Sequence, residues 1–395
     1  MISQRIKRLS ASATLAMAQK SAELKSAGID VISLAVGEPD FDTPKHIQEA
    51  GIRAIQEGYT HYSPVPGYQQ LREAISEKLL KENGLTYSPS QIVVSNGAKQ
   101  SVCNTLLALV NEGDEVIIPS PFWVSYPEMV KLAGGKPVYL ETGIEQDFKM
   151  QPEQLAQAIT PHTKVLILCS PSNPTGSVYS ETELKALSNV LQNHPRVIVI
   201  SDEIYEHINY VGHHASIAAC DGMSQRTVVI GGVSKAYAMT GWRIGYIAAP
   251  LEIAQATNKL QGQYTSGPAS MTQMAALAAY KGSQDCVEDM RKAFLRRRDL
   301  MVSLTREIQG LEVNNPEGAF YVFPKCKSFI GKKNGQKVIQ SSNDLALYLL
   351  EEAHVAVVSG EGFGAPDYFR MSYATSEENI RTAMSRIRMA LEKLS

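Results

Sequence analysis

Lys235 lies in the stretch Gly232-Val233-Ser234-Lys235-Ala236-Tyr237-Ala238-Met239-Thr240-Gly241-Trp242-Arg243-Ile244-Gly245, just past the apolar run Thr227-Val228-Val229-Ile230. That run, closed by Gly231-Gly232, reads as a buried strand, so the lysine leaves a sheet at a strand's carboxyl end. Open α/β sheets hold their ligands along that edge. An amine kept there away from water and near other cations can shed its proton and attack a carbonyl group. Eight residues further on, Arg243 offers a forked pair of donors suited to a phosphate, and Ser234 adds a hydroxyl. Gly241 is expected to let the backbone double back between them. Taken singly, a loop lysine and a surface arginine are solvated charges. Taken together, they point to a carbonyl compound that carries a phosphate.

The pattern Ser-Lys, five residues, Gly-x-Arg-x-Gly resembles the cofactor-lysine motif of the class I and II aminotransferases, fold type I enzymes that use pyridoxal 5'-phosphate. Further motifs follow in the family's order over nearly the whole chain. The resemblance implies that Lys235 binds the cofactor covalently and moves the proton, and that Ser234 and Arg243 hold its phosphate. In Asn96-Gly97-Ala98-Lys99, a strand turns into a helix, and the amides of Gly97, Ala98 and Lys99 fall where the family cradles the same phosphate. Trp123, on the exit loop Pro121-Phe122-Trp123, falls at the family's aromatic that stacks on the cofactor ring and borders the substrate.

Asn173, in Asn-Pro-Thr-Gly, is implied to donate to the cofactor's phenolic oxygen and to touch the substrate carboxylate. Asp202, in Asp202-Glu203-Ile204-Tyr205, ends an apolar run, where an aspartate is costly unless paired. Its implied partner is the protonated pyridine nitrogen. Tyr205 would reach the phenolic oxygen. Arg370, inside Phe369-Arg370-Met371-Ser372, would take the substrate carboxylate bidentately, although a structural salt bridge is the plainer use of such an arginine. Gly37, in Gly-Glu-Pro-Asp-Phe, would add its backbone amide, while a simple helix-capping turn explains that loop as well. Tyr62 is implied to reach the phosphate of a neighbouring subunit, making the protein a homodimer with shared sites; a lone exposed tyrosine more often does nothing.

Supporting elements can be read from periodicity. Apolar runs at 92–95, 115–119, 165–169, 197–201 and 227–230 read as strands, and helical stretches at 44–57, 68–83, 101–110, 181–193, 251–261 and 269–280 fill the intervals. Alternation of this kind gives an α/β fold with a mostly parallel sheet flanked by helices. A long charged helix over 285–308 reads as a bridge, and the segments at 320–323, from 343, at 355–358 and from 376 suggest a small α+β domain. The expected division is 1–45 as an N-terminal arm and part of the small domain, 46–284 as the large cofactor-binding domain and 285–395 as the small C-terminal domain. Gly360-Glu361-Gly362-Phe363-Gly364 lies between strands and reads as a loop, not a nucleotide fingerprint.

With 395 residues the chain can bury more than one core, and a net charge of −2 argues against a nucleic-acid surface. Five widely spaced cysteines, Cys103, Cys169, Cys220, Cys286 and Cys326, include no Cys-x-x-Cys pair, so neither a disulfide framework nor a metal site is expected. A reducing compartment, the cytoplasm, fits. No apolar stretch approaches the ~20 residues of a membrane helix. Residues 1–22 carry Arg5, Lys7, Arg8 and Lys20 without an acid, the composition of a transit peptide. Ser12-Ala13-Thr14 nevertheless resembles the N-terminal arm of the family's bacterial branch.

That branch lacks the partner-subunit arginine that binds a distal carboxylate in other aspartate aminotransferases. The resemblance assigns that task to Lys99, with Thr14 closing over it, and so implies aspartate and glutamate as amino donors and 2-oxoglutarate and oxaloacetate as keto partners. Prephenate-accepting members carry a lysine two residues before Ser-Ala-Thr, where this chain has Ser10. Alanine and aromatic amino acids stay open, as does a carbon-sulfur lyase on the same fold. A cofactor-sensing regulator would need an added DNA-binding domain, and none is expected here.

Overall fold

The computed structural model describes residues 1–10 and 13–395, with the backbone alone for Ala13 and Thr14. The expectation for the Thr14 side chain therefore lies outside the described residues. The chain starts with α1 (Gln4–Lys7) and α2 (Ala13–Ser26), then a two-residue strand, β1 (Ile32–Ser33). Next come α3 (Lys45–Gln56), begun by Pro44 with its fixed φ, and α4 (Gln69–Asn83), ended by Gly84 in the left-handed region at φ 66°.

A seven-stranded sheet forms the large domain. Its strands are β2 (Ile92–Asn96), β3 (Glu115–Ser120), β4 (Lys136–Glu141), β5 (Thr163–Cys169), β6 (Ile198–Asp202), β7 (Thr227–Gly232) and β8 (Ile244–Ala248). The order across the sheet is β2-β8-β7-β6-β5-β3-β4, and only β8 runs against its neighbours. Side chains alternate between faces because successive residues of a strand point opposite ways. Val116, Ile118, Val165, Ile167, Val228 and Ile230 pack on one face with α5 (Ala98–Leu109), α6 (Tyr126–Leu132) and α9 (Leu251–Tyr264). On the other face, Ile92, Val94, Val229 and Tyr246 meet α3, α4 and α10 (Ser270–Lys281), while Ile117, Leu166 and Val199 meet α7 (Pro152–Ala158) and α8 (Glu181–Gln192).

Three boundaries differ from the sequence reading. Helix α5 begins at Ala98, not at 101, so the amides expected at a phosphate belong to its first turn. β4 was not anticipated: its short apolar stretch, Pro137–Leu140, opens on a proline and lies between charged ends, and half of its residues are exposed. β8 was not anticipated because its apolar residues directly continue the Lys235 motif.

The small domain is built from both chain ends. α11 (Asp285–Arg306) leads to β9 (Tyr321–Val322), the hairpin β10 (Lys333–Asn334) and β11 (Lys337–Val338), α12 (Ser342–Glu352), β12 (Val355–Ala356), β13 (Val358–Ser359), β14 (Phe369–Ser372) and α13 (Glu377–Leu391). β1 pairs in parallel with β12, and β13, β14 and β9 form an antiparallel sheet. Leu34, Phe294, Phe320, Val355, Phe369 and Ile380 share its core. The glycine-rich stretch is a single 3-10 turn, Gly360–Phe363.

Behind β6 lies a buried polar network. Lys78, 3% exposed at its side chain, donates to Glu206 at 2.5 Å and to Asn83 at 2.8 Å, while Asn83 donates to the other Glu206 oxygen at 2.8 Å. Glu203 accepts from Ser201, Ser216 and His214. Burial alone would raise the Glu206 carboxyl, but Lys78, then His207 and His214, outweigh it and hold the pKa at about 2. A carboxyl depressed from 4.5 in this way contributes stability above pH 4.5 and loses it as pH falls from 4.5 towards 2. Lys78→Met should cost about 3–5 kcal/mol in urea unfolding at pH 7, because Glu206 is left buried and unpaired. The same variant should show less loss of stability between pH 4.5 and 3 than wild type, whereas parallel curves would contradict the pairing.

Candidate active site

The carboxyl ends of β2, β3, β5, β6 and β7 open into a cleft of about 410 Å³. Ala98 and Lys99 line it from the first turn of α5, Trp123 from the loop after β3 and Asn173 from the loop after β5. Asp202 and Tyr205 come from the end of β6, Ser234, Lys235 and Arg243 from the segment after β7, and Gly37 and Arg370 from the small domain. Of the expected site residues, Gly97 stands directly behind Arg243. A Cβ on it would fall 2.3 Å from a guanidinium nitrogen. Tyr62 is not brought into the cleft: it is 99% exposed, in a separate surface cavity between residues 59–63 and 267–271.

The backbone corrects one expectation. Gly241 is not the residue that reverses the chain: it has open space around it and lies outside the left-handed region. The reversal uses Ala238 at φ 50° and Arg243 at φ 57°. The glycine that the corner requires is Gly245, where a Cβ would meet the Ala98 nitrogen at 2.2 Å. That close approach keeps the segment after β7 against the start of α5.

Lys235 is partly buried, and its ammonium donates to the Gly37 carbonyl at 2.6 Å. The carbonyl of Gly37 is therefore engaged in this structure, whereas the sequence reading concerned its amide. Burial lowers the Lys235 pKa most, Glu38 pulls it back up, and Arg370 and Arg243 push it down, leaving it at about 8. Arg370 is 2% exposed, with Nη1 donating to Asn173 at 2.8 Å and Nη2 to the Ala35 carbonyl at 2.7 Å. Its Nε has no partner, and no carboxylate pairs with it among the described residues. A buried guanidinium in that condition suits an anionic ligand.

Asp202 accepts from the Tyr126 hydroxyl at 2.6 Å and from the Ile204 amide at 3.3 Å. Burial raises its pKa to about 6 against those two donors, so a cationic partner would stabilise its charged form. The Lys99 ammonium stands 5.1 Å from the centre of the Trp123 ring, and loss of water, then Arg243, lower its pKa. Tyr205 shares a 2.7 Å hydrogen bond with Tyr321. Sequence reasoning missed Tyr126 and Tyr321. Tyr126 opens α6 just after the turn that carries Trp123, its amide donating to the Trp123 carbonyl at 3.0 Å, and nothing in the sequence marks it out; Tyr321 was hidden within an apolar strand.

The donor set fits a phosphorylated aldehyde on an aromatic nitrogen ring: a helix N-terminus with Ser234 and Arg243, an amine, an aromatic face and a buried carboxylate. A doubly covered α/β sheet with this set at its carboxyl edge defines an enzyme of amine and carbonyl chemistry. The family model described as Aminotransferase class I and II matches residues 29–387, and the chain belongs to that family of aminotransferases. It is 49% identical to the aspartate aminotransferase of Geobacillus stearothermophilus, over 99% of each chain. It is equally identical to the aspartate/prephenate aminotransferase of Cereibacter sphaeroides, over 100% of this chain and 99% of that one. The solved aspartate aminotransferase of Rhizobium meliloti superposes with a TM-score of 0.97 at 43% identity, over the whole of both chains.

A nucleophilic amine should reveal its pKa in its reactivity. Attack of Lys235 on pyridoxal phosphate, trapped by borohydride and located by mass spectrometry, should rise with pH to a midpoint near 8. Arg370→Leu should move that midpoint upward, since a repelling cation is removed. A midpoint at the ordinary lysine value of 10.5 would remove the electrostatic account.

Proposed function

We propose that this enzyme moves the amino group of an L-amino acid, aspartate first, to 2-oxoglutarate, using pyridoxal 5'-phosphate. The observation that carries the reading is that Lys235, Asp202 and Arg370 line one cleft. When bound, the cofactor supplies an electron sink for the pair left as the Cα–H bond breaks. Lys235 would hold the cofactor through its Nζ and, when the substrate's amine takes its place there, the freed Nζ would move the Cα proton. Asp202 pairs with the protonated ring nitrogen, and Tyr126 keeps its carboxylate oriented.

The amides of Gly97, Ala98 and Lys99, with Ser234 and Arg243, hold the phosphate. Trp123 offers its face to the ring, and Asn173 and Tyr205 donate to the phenolic oxygen. Arg370, assisted by Asn173 and the Gly37 amide, fixes the substrate's α-carboxylate so that the breaking bond stands across the ring plane. Lys99 receives a distal carboxylate, with Thr14 closing over it. The names of the relatives support aspartate. They also favour a second reading in which prephenate is an acceptor, despite Ser10.

Tyr62, held out in solvent, serves the phosphate of a second copy in a homodimer with shared sites. The division at residues 45 and 284 belongs to the same proposal and is supported by the separate cores on either side. No helix among the described residues is long and apolar enough to cross a membrane, and all five cysteines are free, which supports a cytoplasmic setting.

Two experiments bear on this reading. Aspartate should outrun phenylalanine and alanine as donor to 2-oxoglutarate, and Lys99→Ala should cut kcat/KM for aspartate by about 10–100-fold, one charge-assisted contact at about 1.4–2.8 kcal/mol, while sparing phenylalanine. Equal losses on both donors, or release of ammonia without a pyridoxamine product, would remove the assignment. Mixing Tyr62→Phe with an inactive Lys235→Ala chain tests the shared site: hybrid dimers should contain one site lacking both changes and regain activity. A fully active monomer on sedimentation would exclude it.

A further inference from the structure

Tyr321 touches three groups of the cleft. Its hydroxyl lies 2.7 Å from the Tyr205 oxygen, and its ring centre is 4.5 Å from the Arg370 guanidinium carbon. A Cβ built on Gly37 would lie 2.5 Å from the same hydroxyl, so the phenol also lies directly against that glycine. Tyr321 is fully buried, on β9 of the small domain, whereas Tyr205 follows β6 of the large domain. The bond between them therefore crosses the cleft from one domain to the other.

A phenol has one hydrogen to give. Burial, above all, raises the pKa of both tyrosines, so neither is ionised at neutral pH. If Tyr205 gives its hydrogen to the cofactor's phenolic oxygen, the hydrogen in the 2.7 Å bond must come from Tyr321. Receiving a hydrogen bond makes a phenol a stronger donor, since chains of such bonds polarise one another. Meanwhile the ring face of Tyr321 supports the guanidinium that has no acid beside it. Lys235 and Arg370, with the Cys169 thiol on β5, are the other titratable groups that act on the pair.

We propose that Tyr321 is a positioning residue with two separable parts: its hydroxyl donates to Tyr205 and so sets the proton affinity of the cofactor-bound site, and its ring holds Arg370 for the substrate carboxylate. The proposal rests on the reading of the site given above. In the pyridoxal phosphate-loaded enzyme, the pH midpoint of the cofactor's absorbance change reads the first part, and the dissociation constant of maleate reads the second.

Tyr321→Phe should raise the absorbance midpoint by about 0.5–1 unit, the equivalent of one hydrogen bond, with maleate binding within about twofold. Tyr205→Phe should raise it further, and the double variant should match Tyr205→Phe alone, because Tyr321 acts through Tyr205. Tyr321→Leu should also weaken maleate by about three- to tenfold through loss of the ring face. A Tyr321→Phe midpoint equal to wild type, with Tyr205→Phe shifted, would overturn the proposal and leave the cofactor reading intact. Additive shifts in the double variant would overturn it too. A wild-type enzyme whose bound pyridoxal phosphate has no pH-dependent band would overturn the reading and the proposal together.

Discussion

An excess of positive charge in a partly buried space is the constraint on which the rest of the structure depends. Lys99, Lys235, Arg243 and Arg370 line the cleft against Glu38 and Asp202, four cations against two carboxylates; Lys99, Arg243 and Glu38 are exposed, whereas Lys235 is half-buried and Arg370 and Asp202 are buried. Charge held away from water is costly unless it is paired. Both lysines answer by giving up protons more easily, and Arg370, which cannot, is held by two carbonyl oxygens and two aromatic faces in place of an acid. A cleft so charged is suited to anionic ligands.

This arrangement depends on backbone placement more than on side-chain reach. Parallel strands end together, so one edge collects a residue or loop from each. β8, the one reversed strand, carries the chain back beside β2 and presses Gly245 onto Ala98. Arg243 is thereby delivered to the first turn of α5, with its guanidinium against Gly97. Asp202 ends β6 and Tyr205 lies in the turn after it, and Tyr126, the first residue of α6, reaches Asp202 with its hydroxyl.

Most of this was legible in the sequence for a simple reason. Buried parallel strands read as short apolar runs, and the residue that follows such a run is at the sheet edge. Lys235 and Asp202 were located in that way and Arg370 by being charged within an apolar strand, whereas Asn173 and Trp123, further along their exit loops, were singled out by the resemblance. Partners distant in sequence left no local pattern: Tyr321 reads as one more aromatic in a core strand, and the Lys78–Glu206 pair joins two polar residues of the large domain that each look like helix or loop surface. β4 was lost because its short apolar stretch opens on Pro137 between charged ends, and the role given to Gly241 failed because left-handed backbone fell instead on Ala238 and Arg243, residue types that do not advertise it.

The pairing of β1 with β12 has a consequence for the order in which the protein is made. The Leu34 amide bonds to the Ala356 carbonyl, the Leu34 carbonyl accepts from Ser372, and the next carbonyl, that of Ala35, accepts from Arg370. β1 must therefore wait for β12 and β14, while the seven-stranded sheet between them can already assemble. A nascent chain halted before residue 355 would carry every strand of that sheet but not Arg370, with β1 an unpaired edge that invites another chain. Arrival of β12 and β14 both closes that edge and brings Arg370 into the cleft, so one pairing couples folding of the small domain to assembly of the cleft.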